Sequence, residues 1–211
     1  MNDFVYHDDR NGRRWKVGWP AFRIERPVCV EDEVARLIAD RRIVGVFWGR
    51  SEFGPRALGH RSILADPRWE GMRDYLNDRV KHRQWFRPFA PIVLAERASE
   101  WFDLAVESPH MLLVADVRAD KRALVPSITH VDGTARVQTI RVEDSPRVYR
   151  VVEAFERLTG VPMILNTSFN DHGEPIVEKP IDAFACFAQT ELDALAIGPS
   201  LLHKIRPQGA R

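Results

Sequence analysis

The feature that most constrains this chain is the apolar run Ile43-Val44-Gly45-Val46-Phe47-Trp48, set between an amphipathic segment and a loop rich in glycine and arginine. A short continuous apolar run bounded by turn formers reads as a buried strand. Glu31 to Arg42 reads as the helix before it. Val34, Leu37 and Ile38 fall three and four apart, acids open the segment and basic residues close it. The loop behind the strand, Gly49 to Ser62, places three glycines, one proline and three arginines in fourteen positions. Glycine lets a backbone turn and approach a ligand where a Cβ would clash. Arginine presents a permanently charged planar fork that fits phosphate or carboxylate oxygens. Such a loop at a strand end is either an anion cradle or a surface turn with solvated arginines. Its glycine spacing matches neither a Walker loop nor a dinucleotide fingerprint.

The alternation of strand and helix continues downstream. Ser62–Ala65 reads as a brief strand ended by Asp66-Pro67, and Glu70–Val80 as a helix with Met72, Leu76 and Val80 on one side. Its end delivers Lys81, Arg83 and Arg87 into a loop stiffened by Pro88 and Pro91. Ala95–Phe102 reads as helix, Met111–Val117 as strand, Ala119–Val131 as a long connection, and Ala135–Val142 as strand. Pro146–Leu158 is the clearest helix: Val148, Val151, Val152, Phe155 and Leu158 share a face, and Gly160 lies just past its end. Val161–Leu165 follows as a buried strand with Asn166–Gly173 as the loop at its end. Ile181–Ala188 is then a short helix, and Ala194–Leu202 closes the chain in strand-like sequence. Strands alternating with helices predict an open α/β sheet. Residues 1–27 are polar, aromatic and irregular and read as an arm or linker remnant, with Trp15 and Trp19 expected to pack on something; residues 28–211 form the domain.

Composition limits the function classes. Lys+Arg 31 against Asp+Glu 30 leaves +1, so nothing global favours nucleic acid or an acidic membrane, and any anion preference is local. Cys29 and Cys186 lie far apart and read as packing thiols of a reduced, cytoplasmic protein. No apolar run approaches the roughly 18 residues of a membrane span. The seven histidines form no His-x-His or HExxH pair and neither cysteine has finger spacing, so no protein-bound metal is expected.

Three further stretches go with the arginine loop. They are Lys81-His82-Arg83-Gln84-Trp85-Phe86-Arg87-Pro88-Phe89-Ala90-Pro91, then Thr129-His130-Val131-Asp132-Gly133-Thr134-Ala135-Arg136-Val137-Gln138, then Leu165-Asn166-Thr167-Ser168-Phe169-Asn170 with Gly173-Glu174-Pro175-Ile176-Val177. Together, from about Ile43 to Lys204, they resemble the C-terminal half of the O-carbamoyltransferases of antibiotic and nodulation-factor biosynthesis. That half is itself similar to YrdC/Sua5 domains, which make carbamoyl-type adenylates. The resemblance implies a YrdC-like open, twisted, mixed sheet flanked by helices. It also implies ATP (with Mg²⁺ entering only with the nucleotide) and carbamoyl phosphate as substrates, and a Kae1-like partner domain that passes the carbamoyl group to an acceptor hydroxyl. Family resemblance puts an iron site in that other half. The sequence departs from the pattern at His60, Trp48 and Asp171-His172, where Asn, Gln and often Val/Arg are common.

Adenylate formation asks for positioning and charge stabilisation more than for a general base. Lys81, Arg87 and Arg136 are the expected catalytic cations, with Arg50, Arg56, Arg61 and Arg83 beside them on the substrates. Asn166, Ser168 and Asn170 are expected to contact the nucleotide or carbamoyl group, the alternative being a turn or capping cluster. Glu52 reads as ordering the arginines. His130 with Asp132 looks like half of a triad, but no serine or cysteine sits in a nucleophile elbow. The alternative from another class is a nucleotide- or RNA-binding module without turnover, against which the near-neutral charge argues.

Overall fold

A computed structural model describes residues 22–205 in full and, before them, the backbone of two short strands. These are β1 (Val5–Asp8) and β2 (Arg14–Val17), which pair antiparallel. The remaining elements run β3 (Phe22–Glu25), α1 (Val30–Ala39), β4 (Val44–Phe47), β5 (Arg61–Ala65), α2 (Met72–Tyr75), β6 (Ala90–Leu94), α3 (Ala98–Trp101), β7 (Phe102–Asp103), β8 (Leu113–Val117), β9 (Thr134–Ile140), α4 (Pro146–Thr159), β10 (Met163–Ser168), α5 (Pro180–Gln189), β11 (Ala194–Ile197) and β12 (Ser200–Lys204). Ten strands form one sheet in the order β3-β12-β11-β4-β5-β10-β6-β9-β8-β7. Only β11–β4 and β6–β9 pair in parallel, so the sheet is mixed and open, with helices on its faces. The expected α/β class holds.

The apolar run is indeed the buried strand β4, and its glycine has a packing reason: a Cβ on Gly45 would lie 2.8 Å from the ring of Phe169. On the other face, Arg147 of α4 stacks over Trp48 at 4.4 Å. Helix α4 buries Val148, Val151, Val152, Ala154 and Phe155, each large side chain contributing roughly 1.5–3 kcal/mol by leaving water. It ends at Gly160, whose φ of 74° is the left-handed cap the sequence marks. Leu158, expected on that buried face, is 57% exposed.

Several expectations are corrected. Residues 22–25 of the supposed arm are a strand that pairs with β12 and edges the sheet. The expected packing of Trp15 and Trp19 lies outside the described residues. Ala194–Leu202 is two strands that turn at Gly198, φ 55°, rather than one. Ala90–Leu94 is a fully buried central strand that the prolines disguised. Leu94 N donates to Pro162 O at 3.1 Å, on the β10 side, so Pro91 two-fold out of phase turns its nitrogen toward β9. Pairing with β9 begins only at Ile92, so no ladder bond there needs the missing N–H. Strand β10 also runs on through Ser168, which puts Asn166, Thr167 and Ser168 in a strand and not in the loop assigned to them.

The topology gathers the motif segments. Antiparallel pairing sets Ser168 opposite Ser62, Asn166 opposite Ala90, and Phe47 opposite Arg61. The end of β4, the start of β5, the end of β10 and the starts of β6 and β9 therefore share one end of the sheet.

Candidate active site

The loop from Gly49 to His60 folds back over the sheet against the start of α4. Gly59, at φ 119°, passes so close that a Cβ would meet Val148 at 2.6 Å. One carboxylate oxygen, Glu52 Oε1, accepts both Leu58 N (2.8 Å) and His60 N (2.7 Å). Glu52 thus orders the loop backbone rather than the arginines. Arg61, expected on substrate, points into the protein: its guanidinium lies 3.6 Å from the Phe47 ring and donates to Trp48 O (2.7 Å) and Gly49 O (3.1 Å). It is a strut that shapes the loop.

Lys81 is also turned inward. The chain after α2 continues as a π turn, Leu76–Val80, closed by Lys81 N donating to Leu76 O at 2.8 Å. One extra residue per turn rotates Lys81 off the solvent side, and single π turns of this kind are frequent at functional sites. Its ammonium, 3% exposed, donates to Ser168 O (2.9 Å), Asn170 O (2.6 Å) and Asn170 Oδ1 (2.6 Å). Burial, with Arg83 nearby, pushes its pKa down to about 8. Lys81 and Asn170 therefore lock the Ser168–Asn170 turn from behind, where the sequence led us to expect a cation facing ligand. Two of the three non-glycine residues with positive φ among the described residues flank this region: His82 (42°), next to Lys81, and Met111 (56°). Such strain persists where surrounding structure imposes it.

In front of this lock is a cavity of about 100 Å³, lined by Arg56, Arg83 and Arg136, by Asn166, Thr167 and Ser168, and by Phe89 and Met111 among others, with no acidic side chain among the described residues. Arg136 leaves β9 toward it, and Arg56 comes from the glycine loop. Arg83 donates from Nε to Asn77 Oδ1 at 2.8 Å and lies over Phe89 at 4.8 Å. Burial first, then the charges of Arg87 and Arg136, push the Arg83 pKa down to about 10. Burial and then Arg56 lower that of Arg136. Like charges are thus held together without a counter-ion. Arg136 Nε and Asn166 Oδ1 are buried with no partner among the described residues. A concave cluster of guanidinium forks, with a donor left over at Arg136 Nε, suits a small oxyanion.

Of the expected residues, Arg56, Arg83, Arg136, Asn166 and Ser168 line this cavity. Arg87 is exposed near its edge and contributes to the field on Arg83. Arg50 instead lines a neighbouring cavity of about 420 Å³, with Glu52, Phe53, His60 and His110. Asn166 is mostly committed to its own protein, Nδ2 donating to Ala57 O (2.9 Å) and Gln138 Oε1 (3.0 Å). Two supports had gone unassigned in the sequence. Gln138 is 3% exposed and donates to Leu58 O at 2.8 Å. Asn77, fully buried, holds Arg83 and donates to Trp85 O (3.0 Å) and Arg87 O (2.9 Å). A polar residue on the apolar side of a helix, and one two positions after Arg136 on a strand, were the available signals. Asp132 accepts from Thr134 N (3.0 Å) and Thr134 Oγ1 (2.7 Å), and His130 Nδ1 lies 3.2 Å from Thr134 Oγ1: a turn, not a catalytic pair.

Residues 35–204 match the family model described as Carbamoyltransferase C-terminus. The chain belongs to that family. It is 47% identical over 200 residues to the nodulation protein NolNO of Sinorhizobium fredii, covering 93% of this chain and 29% of that protein. With the nodulation protein NolO of Bradyrhizobium diazoefficiens it shares 46% identity over 184 residues, 86% of this chain and 34% of that protein. An uncharacterized protein of Synechocystis is 45% identical over 192 residues, 82% of this chain and 31% of its own length. The chain thus spans about a third of the length of these relatives. Among solved structures, full-length HypF in its phosphate- and nucleotide-bound form aligns over 81% of this chain and 21% of its own, with a TM-score of 0.54 and 19% identity, a likeness of fold. Among the described residues, no helix is long and apolar enough to cross a membrane.

Proposed function

We propose that this carbamoyltransferase-family domain activates a carbamoyl group: it takes carbamoyl phosphate in the arginine cavity and, with ATP, forms carbamoyl adenylate. The observation that carries the reading is the convergence of Arg56, Arg83 and Arg136 on a cavity of about 100 Å³ with no carboxylate. Three forks without a counter-ion fit a dianionic phosphoryl group. The orphan pair adds selectivity. Arg136 Nε has a donor for a phosphoryl oxygen, and Asn166 Oδ1 has an acceptor for a carbamoyl N–H, which plain phosphate lacks. The family description, Carbamoyltransferase C-terminus, and the phosphate- and nucleotide-bound form of the HypF structure support this reading.

Carbamoyl phosphate loses phosphate to water, leaving carbamate. A carbamate oxygen attacks the α-phosphorus of ATP, the bond to the bridging oxygen breaks, and pyrophosphate leaves. Fixed guanidinium groups stabilise the growing oxygen charge. Since no carboxylate lines the cavity, Mg²⁺ would arrive on the nucleotide phosphates. Transfer to an acceptor hydroxyl would fall to a Kae1-like partner domain. The test is pyrophosphate release from ATP with and without carbamoyl phosphate, alongside mass spectrometry of sugar acceptors. Release dependent on carbamoyl phosphate, without carbamoylated acceptor, is expected. Release indifferent to carbamoyl phosphate overturns the first half, and robust acceptor product the second.

A further inference from the structure

We infer that Gln138 is a positioning residue that holds the arginine loop closed against its own charge repulsion, presetting Arg56 for the anion. The inference rests on the reading that the cavity takes a phosphate-bearing group. Gln138 sits on β9 two residues after Arg136, so both side chains leave the same face of one rigid strand. Its Oε1 accepts from Asn166 Nδ2 at 3.0 Å, and its Nε2 donates to Leu58 O at 2.8 Å. The other Asn166 hydrogen goes to Ala57 O at 2.9 Å. Two linked amides on neighbouring parts of the sheet thus grip two consecutive carbonyls of the loop, directly after Arg56. The amide orientations are fixed, because the atoms they meet on Ala57 and Leu58 are carbonyl oxygens, which only accept.

The grip has something to oppose. Arg56 and Arg136 repel with no carboxylate between them, and Arg56 itself is exposed on a loop tip. Without the amide clamp the empty site relaxes by letting the loop swing away, and an incoming anion must then pull it back. With the clamp the loop stands closed before ligand arrives, which is preorganisation. Glu52, on the loop itself, shapes its turn but ties it to nothing on the sheet; Arg61 and Ser62 of β5 hold Gly49 O and Gly59 N, and the clamp adds the tie at Ala57 and Leu58, next to Arg56.

The test is a double-mutant cycle of Gln138→Met with Arg56→Ala, read by calorimetric titration of inorganic phosphate and of carbamoyl phosphate into the whole chain, with melting curves for each variant. Methionine keeps the length and removes both amide bonds. We expect Gln138→Met to weaken binding roughly 5- to 30-fold in the parent background, and to have little further effect once Arg56 is alanine, because nothing remains to position. Gln138→Glu, which keeps the acceptor for Asn166 and loses the donor to Leu58, serves where methionine lowers folding, and is expected to weaken binding in the same coupled way. Equal losses with and without Arg56 overturn the inference, as does unchanged binding in both variants. Should the parent chain bind neither ligand, the reading beneath it fails as well, which separates the two failures.

Discussion

The arginines of the α1–α4 side and those of the cavity live under opposite rules. On the helices Arg147, Arg157 and Arg36 have carboxylates within reach: Arg147 Nε lies 2.6 Å from Glu31, Arg157 lies 3.1 Å from Asp32 and 3.0 Å from Glu153, and Arg36 lies 3.0 Å from Asp40. At the cavity Arg56, Arg83 and Arg136 face one another and amides. The fold does not lack acids, so their exclusion from one concave place is what marks it. Paired arginines satisfy the protein, whereas clustered unpaired ones are suited to a ligand.

The sharpest way to break that comparison is to remove a cavity arginine. Arg136→Ala is expected to weaken carbamoyl phosphate binding by about 1.5–3 kcal/mol, the range for bonds to charged groups. Its melting temperature should hold or rise, because Arg83 and Arg56 lose a repulsive neighbour. Calorimetric titration beside thermal unfolding checks both. A variant that melts early yet binds like the parent would make Arg136 a structural residue after all.

Lys81 blurs the division, being a cation without a carboxylate that is nonetheless satisfied. Lys81→Met strips donors from Ser168 O and Asn170 O, at about 1–3 kcal/mol for a buried acceptor left unpaired. Melting should fall by several degrees and phosphate affinity should fall with it, since Ser168 lines the cavity. Lost binding at unchanged stability would instead restore the ligand-facing role expected from the sequence.

The same lysine sets a pH dependence. Its folded pKa of about 8 lies below the ordinary lysine value of 10.5, so between those values the unfolded chain binds more protons. Stability from this group therefore rises as pH climbs from about 8 to 10.5, while below 8 the buried charge carries its full desolvation cost. Denaturant unfolding at pH 7.5, 9 and 10, compared with Lys81→Met, isolates the contribution of this lysine. Parallel pH profiles for the two proteins would show that Lys81 does not titrate in that window.

What could be read from the sequence was the chemistry of segments, because arginines, glycines and short polar residues in fixed order limit what a loop can be. The strand before Gly49, most of the α4 face and the convergence of Arg56 and Arg136 on one place were all of this kind. Direction was harder. Nothing in Leu76–Val80 announces a π turn, yet that turn sends Lys81 inward, and Arg61 lies one residue from the loop and points the other way. Ala90–Leu94 was hidden because proline argues against a central strand until the register shows which edge its nitrogen faces. Gln138 has no role legible in the sequence, since a lone amide acquires meaning only from the carbonyl 80 residues away that it holds.

The smallest expected effect belongs to the paired side, and it is the control that makes the others interpretable. Arg157 is 58% exposed and bridges Asp32 on α1 to Glu153 on its own helix. Water screens such pairs and long side chains lose freedom in holding them, so Arg157→Ala should cost only about 0–1 kcal/mol of stability. The change leaves Asp32 and Glu153 exposed to water, not stranded in a core. Phosphate and carbamoyl phosphate should bind as they do to the parent, because helix α4 meets the site at its opposite end, at Ser145 and Val148. Raising salt should erase even the small stability loss. A clear drop in anion binding from Arg157→Ala would mean that affinity follows the net charge of the whole chain. The cavity arginines would then be one contribution to a diffuse field, and their lack of carboxylates would no longer distinguish them.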